Sequence, residues 1–128
     1  MAYNRERMSA FIFFPRNVRT PHQTIVYFRG ASAIYVPTVD ALADMPMIDT
    51  LVGTRRAVIY PIYEGSYERR FPGNSARTAL DTVEWRIHLV QDVSRTIDYL
   101  ETRSDIDHGR LAFAGYSWGA YMGLIVSS

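Results

Sequence analysis

The sequence predicts an α/β protein with a mainly parallel sheet and flanking helices. Apolar runs of strand length are bounded by turn residues, and one long segment carries apolar residues at helical spacing. A glycine-flanked serine also lies between a strand-like and a helix-like segment. With 128 residues, 48% hydrophobic and 21% charged, the chain has the composition of a packed globular protein and not of a disordered one.

Four segments have the composition of strands. They are residues 10–14, which Pro15 follows, and residues 24–28, 57–60 and 110–114. All four are rich in Ile, Val, Phe, Tyr, Leu or Ala. The second and third are almost continuously apolar, which is typical of strands buried on both faces of a parallel sheet. Since parallel strands need crossover connections, helices are expected between them.

The clearest helix is predicted from Asp81, where an acidic residue followed three positions later by Glu84 indicates a helix start, to about Thr102. An apolar stripe at spacings of three and four should be buried on this helix. Its members are Val83, Ile87, Val90, Val93, Ile97 and Leu100. The residues expected to be exposed are Arg86, Gln91 and Asp98.

The connecting segments are less regular. A short helix is predicted over residues 40–45, with Pro37 and Pro46 as its boundaries, and a polar turn over residues 104–109. Residues 63–77 contain glycines, a proline, charges and aromatics, which predicts a long loop. Loops of that length are often functional.

Charge and composition exclude several function classes. Fourteen basic and thirteen acidic residues give a net charge of +1, which provides no field to attract nucleic acid or anionic lipid. The absence of cysteine excludes disulfides, thiolate metal sites and a cysteine nucleophile, and no metal or cofactor is expected. No apolar segment reaches the roughly 18 residues of a membrane span, and residues 1–10 lack a signal-peptide core, so we expect no membrane partner and a chain that is either cytoplasmic or already processed.

A G-x-S-x-G motif carries the chemistry that the sequence predicts. Its residues are Gly115, Tyr116, Ser117, Trp118 and Gly119. In such a nucleophile elbow, the serine sits in a tight turn between strand and helix, and larger side chains at the two glycines would collide with neighbouring elements. The apolar strand at 111–114 and the helix-compatible segment at 120–126 have the required order. Ser117 is therefore the predicted catalytic nucleophile.

Two backbone donors are expected to stabilise the oxyanion that forms when Ser117 attacks. A helix that begins just after Ser117 directs its free N–H groups towards the nucleophile, so Trp118 is the first donor. The second should come from the loop after the strand at 24–28, where Gly30 or Ala31 could supply it. The alternative interpretation of Gly30 is a plain turn at the end of a strand.

The run from residue 106 to 120 resembles the nucleophile region of the prolyl oligopeptidase and acetyl xylan esterase-like branch of the α/β hydrolases. The similarity extends back through residues 94–100. Residues 63–70 are similar to a segment after the fourth strand in a bacterial group that fuses such a hydrolase behind a serine/threonine kinase domain. The resemblance implies the α/β-hydrolase fold, with the chain's four strands as the second to fifth. It also implies a Ser, Asp, His triad in that sequence order.

The chain departs from that order, because His22, His88, His108 and every acidic residue precede Ser117. His88 is interpreted as a helix-surface residue, whereas His108 and His22 are expected at the sheet edge opposite the serine. Residues 121–126 also contain no helix-stop signal. We therefore expect residues 1–128 to be one incomplete α/β-hydrolase domain, truncated after the nucleophile helix begins. The C-terminal half, with the acid and base, would be its missing partner.

These observations favour a serine hydrolase that cleaves a small-molecule carboxylic ester, or a peptide, and that is inactive as this fragment alone. One alternative is a flavodoxin-like nucleotide-binding module, but Gly115, Gly119 and Gly123 match neither the dinucleotide fingerprint nor a phosphate-binding loop with its lysine. Another is a hydrolase-like domain that has lost catalysis and serves as a binding or interaction surface.

Overall fold

The structure is a computed structural model that describes residues 6–71 and 79–126. The strands are β1 (Ala10–Phe13), β2 (His22–Phe28), β3 (Ala57–Pro61) and β4 (Ile106–Gly115). The α-helices are α1 (Met45–Gly53), α2 (Ala79–Glu101) and α3 (Trp118–Val126). Single 3-10 turns occupy Ala31–Ile34, Val39–Ala41 and Tyr67–Arg69.

The strands form one sheet in the order β1-β3-β2-β4. β2 runs parallel to both β3 and β4, and only β1 is antiparallel, so the predicted mainly parallel sheet is confirmed. The central strands β2 and β3 are almost wholly buried, as their continuous apolar sequences predict. One apolar core packs around α1 and a second around α2 and α3, which places the sheet between two layers.

The fourth strand is longer than predicted. β4 begins at Ile106, so the turn predicted over residues 104–109 is wrong from that residue onwards. Ile106 is buried and lies opposite His22 of β2, and an irregularity in the register between His22 and Thr24 accommodates the extra length. Pairing with β2 therefore outweighs the local turn tendency of Asp107 and Gly109, and His108 lies on the strand.

The structure differs from the prediction in where the long helix starts and in which of its residues are buried. α2 already includes Ala79, so Asp81 lies in its first turn and does not precede the helix. Val83 and Ile87 are 51% and 50% exposed, which contradicts the predicted stripe. The predicted exposed residues are confirmed: Arg86, Gln91 and Asp98.

The face that α2 buries includes polar residues. Its buried members are Leu89, Asp92, Val93, Thr96 and Leu100. Asp92 accepts two hydrogen bonds from the Arg69 guanidinium, at 2.5 and 3.3 Å, and one from the Glu64 backbone N–H at 3.0 Å. Burial raises the pKa of Asp92, whereas the hydrogen bonds from Arg69 oppose that rise. A stripe drawn from apolar residues alone correctly includes Val93 and Leu100 but misses Asp92, which is buried because it pairs with Arg69.

The short helix predicted over residues 40–45 is wrong. A single turn occupies Val39–Ala41, and α1 begins where the predicted helix should end. Pro46 lies in the first turn of α1, a position that suits proline because the missing N–H would have no partner there. The predicted loop over residues 63–77 contains the Tyr67–Arg69 turn, and its part at 72–77 lies outside the described residues.

Two glycines allow the turn after β4 to pack against the end of β2. A Cβ atom on Gly119 would overlap the Phe28 carbonyl oxygen and would lie 2.5 Å from that of Arg29. A Cβ on Gly115 would lie 2.5 Å from the backbone carbon of Gly119. These distances are too short for any side chain, so the turn can adopt this position only with glycine at both sites.

We expect Asp92→Ala to lower the free energy of unfolding by about 3–5 kcal/mol, because it removes the buried carboxylate partner of the largely buried Arg69 guanidinium and leaves only the exposed Glu6 carboxylate. Asp98→Ala is the matched control on the same helix, since its ion pair with Arg95 is exposed, and its effect should stay below about 1 kcal/mol. Urea unfolding measures both. Equal losses would contradict the role assigned to the buried pair.

Gly119→Ala should destabilise the protein by at least about 3 kcal/mol, because the added methyl overlaps backbone atoms of β2 that cannot move aside. Gly123→Ala, one turn further along α3, should lie within about 1 kcal/mol of wild type, since a Cβ atom at that position would have no atom within 4 Å. Thermal and urea unfolding compare the two variants. A well-tolerated Gly119→Ala would refute the packing argument.

Candidate active site

Ser117 occupies the turn between β4 and α3, and its backbone has a φ of 52°. This left-handed conformation is unfavourable for residues with a side chain and is uncommon outside glycine, asparagine and aspartate. The carbonyl of Ser117 accepts hydrogen bonds from the N–H groups of Ala120 and Tyr121, at 3.0 and 3.3 Å, so the first turn of α3 holds the residue in place.

The side chain of Ser117 is presented to solvent. The residue is exposed, and its hydroxyl has no hydrogen-bond partner among residues 6–71 and 79–126. Strained backbone geometry that the surrounding packing maintains is found preferentially at functional sites. The predicted strand, turn and helix around Ser117 are therefore confirmed as structural elements, and they expose a hydroxyl at the carboxyl end of a parallel strand.

Trp118 is the first residue of α3, where backbone N–H groups have no partner inside the helix. Its ring stacks on that of Trp85 of α2, with centroids 5.0 Å apart and planes at 11°. Trp85 in turn donates from its indole N–H to the Glu64 carbonyl at 3.1 Å. The position of the Trp118 backbone is thus supported by packing from a second helix.

The loop after β2 lies beside the Ser117 turn. The Tyr116 N–H donates to the Phe28 carbonyl at 3.3 Å, and a Cβ on Gly30 would lie 3.1 Å from the Tyr116 ring. The structure therefore brings the predicted residues of both segments together at one edge of the sheet. Ala31 begins the 3-10 turn that follows Gly30.

Two residues near this loop were missed by the sequence analysis. The carboxylate of Asp44, the residue before α1, accepts a hydrogen bond from the Gly30 N–H at 2.8 Å. Asp44 has a φ of 64°, and its side chain makes no capping hydrogen bond to α1. No sequence signal marks it, because the contact joins positions 14 residues apart through an unusual backbone conformation.

Arg29 is the second residue that the sequence analysis did not identify. Its side chain is fully buried, and its guanidinium carbon lies 5.6 Å from the centre of the Trp118 ring. Nη1 donates to the Gly30 carbonyl at 3.2 Å, whereas Nε and Nη2 have no hydrogen-bond partner in the described part of the chain. Burial lowers the pKa of Arg29, and nearby tyrosines and Asp44 oppose that effect.

The histidines lie apart from the serine or are otherwise engaged. His22 begins β2 opposite Ile106, so about 20 Å of strand separates it from the edge that carries Ser117. His108 is also near the start of β4, and its Nε2 contacts the Arg103 carbonyl at 2.9 Å. On α2, the Nδ1 atom of His88 lies 2.9 Å from a carboxylate oxygen of Glu64.

Metal-binding clusters and membrane-spanning helices are both absent from the residues that the structure describes. Within residues 6–71 and 79–126, no three histidine, aspartate or glutamate side chains are arranged to hold a metal ion. None of the helices in that part of the chain combines the length and apolar character that crossing a membrane requires.

No protein-family model and no curated protein matches the sequence. Solved structures do match the fold. Est1E from Butyrivibrio proteoclasticus, with ferulic acid bound, is 12% identical with a TM-score of 0.68, over 94% of this chain and 43% of that one. A putative acetyl xylan esterase from Bacteroides fragilis is 13% identical with a TM-score of 0.67, over 91% of this chain and 36% of that one.

An α/β serine hydrolase homologue from Coxiella burnetii is similar at 14% identity and a TM-score of 0.62, over 94% of this chain and 51% of that one. The chain therefore spans about half or less of the length of these structures. At such low identity the likeness concerns the fold. Together with the mainly parallel sheet and its helices, it shows that this chain has the α/β-hydrolase fold.

Proposed function

We propose that this chain is the nucleophile-bearing part of a serine hydrolase that cleaves carboxylic esters through an acyl-enzyme on Ser117. The observation that carries the proposal is the conformation of Ser117, an exposed serine held at a φ of 52°. Glycines on either side leave no room for a side chain, which is the steric requirement of a nucleophile elbow.

The surrounding groups suit acyl transfer. The Ser117 oxygen would attack the acyl carbon while a base accepts its proton, and the negative charge that forms on the carbonyl oxygen requires nearby donors. The Trp118 N–H at the start of α3 is one proposed donor, and the loop at Gly30 and Ala31 supplies the other. The alcohol then leaves with the proton from the base. Water next attacks the acyl-enzyme and gives its proton to the base, and Ser117 leaves with that proton as the carboxylic acid is released.

The substrate class rests on the similar structures. One of the three described above is called a putative acetyl xylan esterase, and an acetyl xylan esterase from Paenibacillus has a similar fold at 16% identity and a TM-score of 0.64. This favours a small-molecule ester over a peptide. The fold itself hosts many activities, so the ester assignment needs a direct assay.

The base and acid are proposed to lie in a C-terminal half that follows residue 128. His22 and His108 are at the wrong ends of their strands to accept a proton from Ser117, and His88 contacts Glu64. In the matched structures this chain corresponds to less than two thirds of the length. A base supplied by further chain would complete the site without rearranging the four described strands.

We propose that this half packs against the free edge of β4 and against α3. β4 is the last strand of the sheet in the described residues, and its Phe113 is 37% exposed. Leu124 of α3 is 74% exposed, and a cavity of about 270 Å³ lies between β4 and α3, lined by glycine, alanine, phenylalanine and leucine. An unpaired apolar edge of this kind favours association, so the isolated chain should self-associate.

Ser117→Gly should unfold at a higher temperature than Ser117→Ala, with a difference of about 1 kcal/mol in stability. Glycine adopts positive φ without steric conflict, whereas alanine keeps the strain that serine has at 52°. Thermal unfolding measures the difference, with both variants made in full-length protein, meaning the chain together with its proposed C-terminal half. Identical stabilities would mean that the left-handed backbone is not maintained in solution.

The 128-residue chain alone should hydrolyse p-nitrophenyl acetate no faster than its Ser117→Ala variant. Full-length protein should show Ser117-dependent turnover several orders of magnitude faster, because the members of a catalytic triad act as a unit. The comparison uses fragment, variant fragment, full-length protein and full-length Ser117→Ala at matched concentration.

Two results would contradict different parts of the proposal. Serine-dependent turnover by the fragment would show that the base lies within it, and His88→Ala would then be the next variant to test. Full-length protein without Ser117-dependent turnover on any ester would instead favour the alternative function, a binding or interaction domain that retains the hydrolase fold without catalysis.

A further inference from the structure

We infer that Asp44 is a positioning residue that makes the Ala31 N–H, and not the Gly30 N–H, the second oxyanion donor. This inference rests on the proposed function, because it assigns a role within the same active site. It depends on three contacts around one loop: Asp44 with Gly30, Arg29 with Gly30, and Arg29 with Trp118.

The first contact removes one of the two candidate donors. The Gly30 N–H already donates to the Asp44 carboxylate at 2.8 Å, in a partly buried position. Hydrogen bonds to an ionised acceptor are stronger than those between neutral groups. An N–H engaged in this way is not available to an oxyanion, so the neighbouring donor of the loop is Ala31.

The conformation of Asp44 supports a specific role for its carboxylate. Aspartate before a helix ordinarily caps the helix with its side chain, but Asp44 makes no such bond to α1. Its backbone is instead left-handed, with a φ of 64°. The carboxylate that could have capped α1 accepts the hydrogen bond from Gly30 instead.

The second contact fixes the peptide group that carries the Ala31 N–H. The Gly30 carbonyl accepts a hydrogen bond from Arg29 Nη1 at 3.2 Å. In a planar trans peptide the carbonyl and the following N–H point in opposite directions. With its carbonyl held by the buried guanidinium, this peptide must direct the Ala31 N–H away from Arg29.

The third contact connects the two proposed donors. The Arg29 guanidinium that holds the Gly30 carbonyl also lies over the Trp118 ring, at 5.6 Å from its centre. The buried Arg29 guanidinium therefore contacts both segments that carry the proposed donors, and Asp44 holds the Gly30 N–H of the same loop. Donors that are fixed before the substrate arrives need no reorganisation during the reaction, which is the source of oxyanion stabilisation.

Asp44→Gly and Asp44→Asn separate the carboxylate's role from the backbone's. Both replacements tolerate a left-handed backbone, but only asparagine keeps an oxygen that can accept from Gly30. In full-length protein we expect kcat for p-nitrophenyl acetate to fall about 10- to 100-fold in Asp44→Gly, with KM within about threefold. Asp44→Asn should keep kcat within about threefold of wild type. Phenylboronic acid, which mimics the tetrahedral intermediate, should bind more weakly to Asp44→Gly than to wild type or to Asp44→Asn.

Ser117→Ala in the same assay distinguishes a failure of the proposed function from a failure of the role assigned to Asp44. Turnover that survives Ser117→Ala would overturn the proposed function and this inference with it. If turnover requires Ser117 but Asp44→Gly retains wild-type kcat, the positioning role is wrong and the proposed function stands. Equal losses in Asp44→Gly and Asp44→Asn would also overturn the acceptor role.

Hydrogen exchange of the wild-type protein provides a test that does not depend on the folding of any variant. The Gly30 amide should exchange slowly and the Ala31 amide rapidly, because, of the two, only the Gly30 N–H has an acceptor within residues 6–71 and 79–126. Slow exchange at Ala31 with rapid exchange at Gly30 would reverse the assignment and overturn the inference, even where Asp44→Gly fails to fold.

Discussion

The contact between the turn after β4 and the carboxyl end of β2 is the constraint on which the candidate site depends. The backbone of α3 approaches β2 so closely that a Cβ on Gly119 would overlap the Phe28 carbonyl oxygen. The Tyr116 N–H bonds to that same carbonyl at 3.3 Å. This approach places Ser117 beside the loop that follows Phe28, so the nucleophile and the proposed oxyanion donors share one edge of the sheet.

The same constraint explains which parts of the molecule could be predicted from sequence. The strand, turn and helix around Ser117 were predictable because the G-x-S-x-G spacing marks a tight turn, in which a Cβ on Gly115 would meet the backbone of Gly119. The contact of Gly119 with Phe28, in contrast, exists only in the folded chain. β2 and β3 were also predictable, because burial on both faces requires an unbroken apolar run. The start of β4 was not, because residues 106–109 have the composition of a turn and become a strand only by pairing with β2.

Other features depend on partners that are distant in sequence. Asp92 is buried on α2 because Arg69 reaches it from another segment, and a stripe built from apolar residues instead included Val83 and Ile87, which are exposed. At the site, Asp44 acts on Gly30 through a left-handed backbone that aspartate adopts only occasionally. Such contacts have no periodicity, so they become visible only once the chain is folded.

The direction of the strands determines which side chains of this part of the protein can lie near Ser117. Because β2 and β4 are parallel, their carboxyl ends meet at one edge, where Ser117, Trp118 and the Gly30 loop lie. Their amino ends meet at the other edge, where His22 and Ile106 pair and His108 follows. A proton cannot pass directly between groups separated by a strand length of about 20 Å. The strand directions that place Ser117 beside the Gly30 loop thus also keep these two histidines from activating it, and this separation is the reason we propose a base from another part of the protein.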